Sequence, residues 1–272
     1  MSRPRLTFLE SSLPYAVNAA RLIVMDRGMF VADFFLATTV PFLMQFLIWS
    51  YLYQGSSISR SFGVLSLSQT LFYYAFSIAF GRLNNGYDVV SNLSLNVREG
   101  TLEPHLLRPV PYPLQKLADF MGGGVVYSVP IILVLAVFVF IPPVALNSFF
   151  WPGWVLLVVV SQILCFTLSW TVAMMSLWLV RTDFALSLLT TSAAFFGGEL
   201  LPPYLWPEWL RPLMSYNPFR FMISAPAQAI VTMDGGFVMT ALAWTSFYAI
   251  AFGCLSAFLW RQGMKRYRGA GG

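Results

Sequence analysis

The residues that could carry catalytic chemistry are few and lie far apart along this sequence. Three carboxylates, Asp119, Asp183 and Glu199, flank long apolar segments, and His105 is the only histidine. General acid–base catalysis needs its groups within hydrogen-bond reach of one substrate, and a zinc site needs several converging ligands. Because the carboxylates belong to different loops, the sequence predicts no catalytic residue and no metal site.

Nucleotide chemistry is also missing from the chain itself. No G-x-x-x-x-G-K-[S/T] loop occurs in the sequence, and that loop supplies the backbone N–H groups that cradle ATP phosphates. The net charge of +5 does not indicate nucleic-acid binding, because the basic residues are scattered and form no groove motif. We therefore expect no cofactor bound by this chain and no nucleic-acid partner.

A third set of polar residues lies inside an apolar segment. Gln69, Tyr73 and Ser77 recur every four residues, so they share one face of a helix. They could line a substrate pathway. Polar side chains in apolar helices also commonly form hydrogen bonds between helices, so both interpretations stay open.

Long apolar segments must position all of these residues. The sequence is 58% hydrophobic and 10% charged, whereas a soluble domain is about 25% charged. Runs of about 20 apolar residues match a hydrocarbon core roughly 30 Å thick. We predict an all-α polytopic membrane protein, a single transmembrane domain over residues 1–272. The six predicted spans are 29–54, 62–81, 120–141, 153–180, 184–201 and 237–260.

The distribution of Lys and Arg predicts the orientation in the membrane. With six spans, all but three of the 16 Lys and Arg residues fall on one side. The exceptions are Arg60, Arg211 and Arg220. Because cytoplasmic loops are enriched in Lys and Arg, we expect both termini to be cytoplasmic.

Three segments outside the spans have patterns of their own. Residues 1–28 mix apolar and basic side chains, which favours a helix in the cytoplasmic interface over a plain extension of the first span. Prolines in the cytoplasmic loop 82–119 favour a rigid docking surface over a simple connector. Segment 202–236 is too rich in proline to span the membrane, so we predict that it re-enters from the external side.

Two stretches resemble the membrane subunit of type-2 ATP-binding-cassette (ABC-2) transporters. Residues 96–113 (NVREGTLEPHLLRPVPYP) are similar to the family's cytoplasmic element I-x-x-G-T-L-[DE]-x-x-L-L-x-P. Residues 196–230 (FGGELLPPYLWPEW…YNPFRFMISAPAQAI) are similar to its external element, which begins G-x-x-x-P and ends P-F-x-x-x-x-x-P. The order of interfacial helix, six spans and these two elements extends the resemblance over nearly the whole chain.

The resemblance implies a permease subunit in the inner membrane of a bacterium. It implies two copies of a separate ATPase, which binds ATP and Mg²⁺, and a second permease, identical or paralogous. A coupling helix around residues 84–103 would enter a groove on the ATPase. The implied contact residues are Arg98, Glu99, Gly100, Thr101, Leu102 and Glu103. The implied external gate comprises Gly197, Gly198, Glu199, Pro202, Pro203, Trp206, Trp209 and Pro218.

The leading functional hypothesis is an exporter of a hydrophobic or amphipathic substrate, such as a drug, a lipid-like molecule or a peptide. Two alternatives stay open. A lipid-modifying membrane enzyme would have to use Asp119, Asp183 or Glu199, and it would depend on a metal. A membrane anchor for an ATPase would show no turnover stimulated by substrate.

Overall fold

The computed structural model describes residues 8–54, 65–84, 86–140, 150–179 and 182–267. Its all-α character, 84% helix with no strand in the described part, confirms the predicted class. The helices, in chain order, are α1 Phe8–Met25, α2 Arg27–Phe34, α3 Val40–Gln54, α4 Leu67–Leu83, α5 Tyr87–Arg98, α6 Glu103–Leu106, α7 Tyr112–Tyr127, α8 Val129–Phe140, α9 Phe150–Ala173, α10 Asp183–Phe196, α11 Arg211–Ser215, α12 Pro218–Met222, α13 Ser224–Thr232 and α14 Gly235–Met264.

Four helical segments in the described part of the chain are long and apolar enough to cross a membrane. They are Gly28–Gln54, Tyr112–Phe138, Phe150–Leu177 and Gly235–Met264. Several such helices make this a multi-pass membrane protein.

The remaining two predicted spans fall on shorter helices. Helix α10 has 14 residues and α4 has 17, which correspond to roughly 21 and 26 Å at 1.5 Å per residue. Both lengths fall short of a hydrocarbon core of roughly 30 Å. The count of six spans therefore stays a prediction.

Helices α9 and α14 pack side by side and define the two ends of the bundle. At one end, the indole N–H of Trp154 in α9 donates to the carbonyl of Pro226, 2.9 Å away. At the other end, Trp170 of α9 and Trp260 of α14 pack against Tyr112. We call the end at Trp154 and Pro226 the re-entrant end, and the end at Tyr112, Trp170 and Trp260 the tip end.

The predicted coupling helix around residues 84–103 falls on helix α5 and the turn that follows it, and its docking role stays a prediction. Helix α5 ends at Arg98 and packs along α9, with Val89, Val90 and Leu93 buried. The hydroxyl of Thr182 donates to that of Ser94 at 2.8 Å. Apolar residues on one face of α5 are thus used inside this chain, and they are not free to dock on another protein.

Helix α1 is held against the rest of the chain. It packs along α7, and the guanidinium carbon of Arg108 lies 5.9 Å from the ring centroid of Tyr15. This contact connects α1 to the tip end of the bundle. Its location in the membrane interface stays a prediction, and residues 1–7 lie outside the described residues.

Candidate functional site

The chain between α10 and α14 turns back into the bundle. The Ser161 hydroxyl of α9 donates to the carbonyl of Phe221 at 2.8 Å. The amide of Asn84, at the end of α4, donates to the carbonyl of Met222 at 2.6 Å. Since Ser161 lies midway along α9, α12 reaches into the middle of the bundle. The contact of Pro226 with Trp154 shows that α13 returns toward the re-entrant end.

Proline explains why the carbonyl of Met222 needs an outside donor. Pro226 has no N–H, so it cannot donate to the carbonyl four residues earlier, which is that of Met222. A carbonyl without a partner inside an apolar protein costs free energy. The Asn84 side chain supplies the missing donor, which connects the proline pattern of the sequence to the buried position of Met222.

Gly198 forms the first sharp bend after α10. Its φ of 86° favours glycine, and its carbonyl accepts a 2.8 Å hydrogen bond from the Tyr73 hydroxyl. A Cβ at this position would lie 2.7 Å from the Ser224 Cβ and 2.8 Å from the Tyr73 hydroxyl. The bend therefore requires glycine both for backbone conformation and for space.

We call the chain between α10 and α14, residues 197–234, the re-entrant segment. A cavity of about 270 Å³ lies between it and the start of α4. Its polar lining includes two guanidinium groups, those of Arg211 and Arg220. A second cavity, of about 80 Å³, lies deeper, between α4, α9 and α10. Glu199, Asn84 and Ser169 line it, so the side chain of Glu199, three residues after the end of α10, faces the interior of the bundle.

The tip end presents a compact, exposed turn over residues 99–108, which we call the coupling tip. Leu102 is fully buried and anchors it. The Gln115 amide donates to the carbonyls of His105 at 3.0 Å and Val110 at 2.6 Å. Gly100 has a φ of 69°, which lets the chain leave α5 and turn sharply into α6.

Leu107 at the coupling tip is 88% exposed. Charged side chains surround it, and Glu99, Glu103 and Arg108 are all exposed. An exposed leucine on a rigid turn with charges of both signs around it has the character of a protein docking surface, with an apolar centre and a polar rim.

Comparison with known families decides the identity. The family described as ABC-2 family transporter protein matches residues 39–271, which is most of the chain. The chain belongs to the ABC-2 transporter family. No curated protein and no solved structure matches it. The resemblance drawn from the two sequence elements is thereby confirmed at the level of the family.

In this ABC-2 protein the predicted coupling residues divide into two groups. Arg98, Glu99, Thr101 and Glu103 are exposed. Leu102 is fully buried and Gly100 is half-buried. The contact of all six residues with a partner stays a prediction, and its burial makes Leu102 an anchor of the turn.

The predicted gate residues differ in their exposure. Gly197, Gly198, Pro202 and Trp206 are buried, and Trp209 is exposed. Trp206 packs on Phe195, with ring centroids 5.4 Å apart. Half-buried positions are taken by Glu199, Pro203 and Pro218.

The three predicted pathway residues of the ABC-2 protein have different environments. Gln69 forms the capping box of α4 with Ser66. Ser77 is buried and donates to the Tyr74 carbonyl at 3.2 Å. Only Tyr73, which also bonds to Gly198, lines the larger cavity. Hydrogen bonding within the chain therefore accounts for most of this polar face.

Sequence reasoning missed Asn84 and Arg220 as functional candidates. For Asn84 the sequence gives only an indirect signal: Pro226 leaves the carbonyl of Met222 without its helical donor, but nothing in the sequence identifies Asn84 as the group that replaces it. For Arg220 a signal exists in the sequence, because it lies in a long stretch without acidic residues between Glu208 and Asp234. A basic residue without an acidic neighbour inside an apolar segment indicates a binding role.

Proposed function

We propose that this ABC-2 protein is the permease subunit of an ATP-driven transporter, energised by a separate ATPase that docks on the coupling tip. The ATPase carries ATP and Mg²⁺, and this chain carries neither. Family membership supports an ATPase partner. The exposed Leu107 on an anchored turn is the observation that supports the location of the contact.

The coupling tip is suited to transmit force because it is rigid. Two hydrogen bonds from Gln115 and the buried Leu102 fix it to α7. Asn96 of α5 donates to the Tyr112 hydroxyl at 2.8 Å, so α5 and α7 move with the tip. Closure of two ATPases upon ATP binding would then rotate the helices as rigid bodies.

The complete transporter, in our proposal, contains two ATPases and two permease subunits, identical or paralogous. Both termini face the cytoplasm of a bacterium, and the complex exports a hydrophobic or amphipathic substrate. The bend at Gly197 and Gly198, together with Glu199, Pro202, Pro203, Trp206, Trp209 and Pro218, forms the external gate. Tyr73 faces the substrate path, whereas Gln69 and Ser77 support it.

Co-purification tests this proposal. The full chain, tagged and extracted in a mild detergent from its native host, is expected to retain a soluble ATPase with a phosphate-binding loop at about one copy per permease. Leu107→Asp should remove the ATPase, because it places a charge at the apolar centre of the contact.

The matched control is Leu213→Asp, which changes another exposed leucine at the re-entrant end. It should retain the ATPase. If both variants keep the ATPase as the unmodified chain does, the docking assignment is wrong. If the unmodified chain carries no ATPase under conditions that preserve other transporter complexes, the permease proposal itself fails.

A further inference from the structure

Arg220 lies in the cavity of about 270 Å³ without an acidic partner. Among the described residues, no Asp or Glu lines this cavity, and neither of the two ion pairs involves Arg220. Arg220 is half-buried, and its Nε atom is buried without a hydrogen-bond partner. An arginine removed from water without a counter-ion is costly, so such groups are retained where an anion can reach them.

Neutral groups fix the orientation of this guanidinium. One terminal nitrogen donates to the Ser215 carbonyl at 3.1 Å, and the other donates to the Gln228 amide oxygen at 3.0 Å. The guanidinium carbon of Arg220 lies 5.7 Å from the ring centroid of Phe237. Two of the five N–H groups of an arginine are used in this way, which leaves donors for a ligand.

A second cation faces the same space. The Nε of Arg211 donates to the Trp206 carbonyl at 2.8 Å, which fixes the side chain beside the cavity that both arginines line. Guanidinium groups match the planar and tetrahedral oxygens of carboxylates and phosphates better than ammonium groups do. Two of them at one cavity indicate an oxyanion.

The size and the remaining lining restrict the ligand further. A cavity of about 270 Å³ is smaller than most pockets that enclose a drug-sized molecule, which start at about 300 Å³. It is large enough for a head group. Leu65, Pro203 and Val231 line it together with the arginines, so an apolar chain can extend from the same site.

We propose that the cavity at Arg220 binds the oxyanion head group, phosphate or carboxylate, of an amphipathic molecule whose apolar part lies outside the cavity. The role of this molecule as the transported substrate rests on the proposed function. Binding itself does not, because it needs neither the ATPase nor turnover. Arg220 provides the main contact, and Arg211 adds charge at the entrance.

The test is isothermal titration calorimetry on the purified full chain in dodecyl maltoside, an uncharged detergent. The three probes are dodecyl phosphate, inorganic phosphate and the zwitterion dodecylphosphocholine. Dodecyl phosphate should bind most tightly. Arg220→Gln should weaken it about tenfold or more, because charge-assisted hydrogen bonds are lost. Arg266→Gln, an exposed arginine beyond α14, should leave binding unchanged and serves as the control for partition into micelles.

A simple structural role of Arg220 makes a different prediction. In that case Arg220→Gln would have a lower thermal midpoint, but its folded fraction would bind dodecyl phosphate as tightly as the unmodified chain. That result would overturn the proposal. If Arg220→Gln does not yield monodisperse protein, Arg220→Lys carries the test. Lysine keeps the positive charge but lacks the planar guanidinium with its paired N–H donors. We therefore expect weaker binding of dodecyl phosphate, with a thermal midpoint near that of the unmodified chain.

The probes separate the sources of the ligand. Equal binding of inorganic phosphate and dodecyl phosphate would retain the oxyanion site and refute the amphipathic ligand. Equal binding of dodecylphosphocholine would refute selection of anions. A chain that binds dodecyl phosphate through Arg220 but co-purifies with no ATPase would refute the proposed function and leave this site intact.

Discussion

The re-entrant segment and the coupling tip share one kind of hydrogen bond, from a side chain to a backbone carbonyl, and differ in the side chains that they expose. In the re-entrant segment, Asn84, Ser161 and Trp154 of neighbouring helices donate to backbone carbonyls. At the coupling tip, the hydrogen bonds hold the backbone, while the charged side chains and Leu107 face outward. The first arrangement suits a segment that must stay inside a membrane protein, and the second suits a surface that another protein covers.

The largest expected effect is at Gly198. Gly198→Ala should destabilise the chain by at least about 2 kcal/mol, because φ is positive there and the new methyl group meets Ser224 and Tyr73. Thermal unfolding in dodecyl maltoside measures the effect. Gly28→Ala is the control, since nothing lies within 4 Å of a Cβ at that glycine. Equal midpoints for both variants would contradict the described bend.

The next effect concerns the donor at the end of α4. Asn84→Ala leaves the buried carbonyl of Met222 without its side-chain donor, which should cost about 1–3 kcal/mol. Asn92→Ala changes an exposed asparagine on α5 and should be close to neutral. If the two asparagine variants unfold at the same temperature, the re-entrant segment is not held by Asn84.

The sequence predicted these two regions unequally. Apolar runs were enough for the helical class, because it depends on local composition. The proline pattern predicted that segment 202–236 re-enters from the external side, and this orientation stays a prediction. The depth of that segment could not be predicted, since it depends on Asn84 and Ser161, which are distant in sequence from the carbonyls that they contact. Tertiary contacts of this kind leave no periodic pattern.

The coupling tip shows the same division on a smaller scale. The resemblance assigned the E-G-T-L-E motif to the contact with an ATPase, and that contact stays a prediction. Sequence alone did not distinguish the buried Leu102 from the exposed Leu107, because both are leucines in a proline-rich loop. The preceding helix α5 was assigned to the partner contact, whereas its apolar face packs on α9.

A smaller effect is expected from charge reversal at the tip. Glu99→Lys combined with Glu103→Lys should reduce ATPase retention at least about tenfold, because like charges across an interface repel. The thermal midpoint of the isolated chain should not change, since both side chains are exposed. Glu208→Lys at the re-entrant end is the control, and a loss of ATPase there as well would argue against a local contact.

The smallest expected effect is a pH dependence at the tip. Burial, and then the charges of Arg108 and Lys116, lower the pKa of His105 below its usual value. The folded chain therefore binds this proton less tightly than the unfolded chain, and stability is lost as pH falls through the lowered value. Between pH 7.5 and pH 5.5 the thermal midpoint of the unmodified chain should therefore fall further than that of His105→Gln, by up to about 3 °C. A gain at acidic pH would have the wrong sign.

Site-specific photo-crosslinking in intact cells tests the division between the two ends most directly. A benzophenone side chain replaces Leu107 in one variant and Leu213 in the other, and mass spectrometry identifies the products. We expect position 107 to capture an ATPase with a phosphate-binding loop and position 213 to capture none. Capture of the ATPase from position 213, with none from position 107, would contradict docking at the coupling tip.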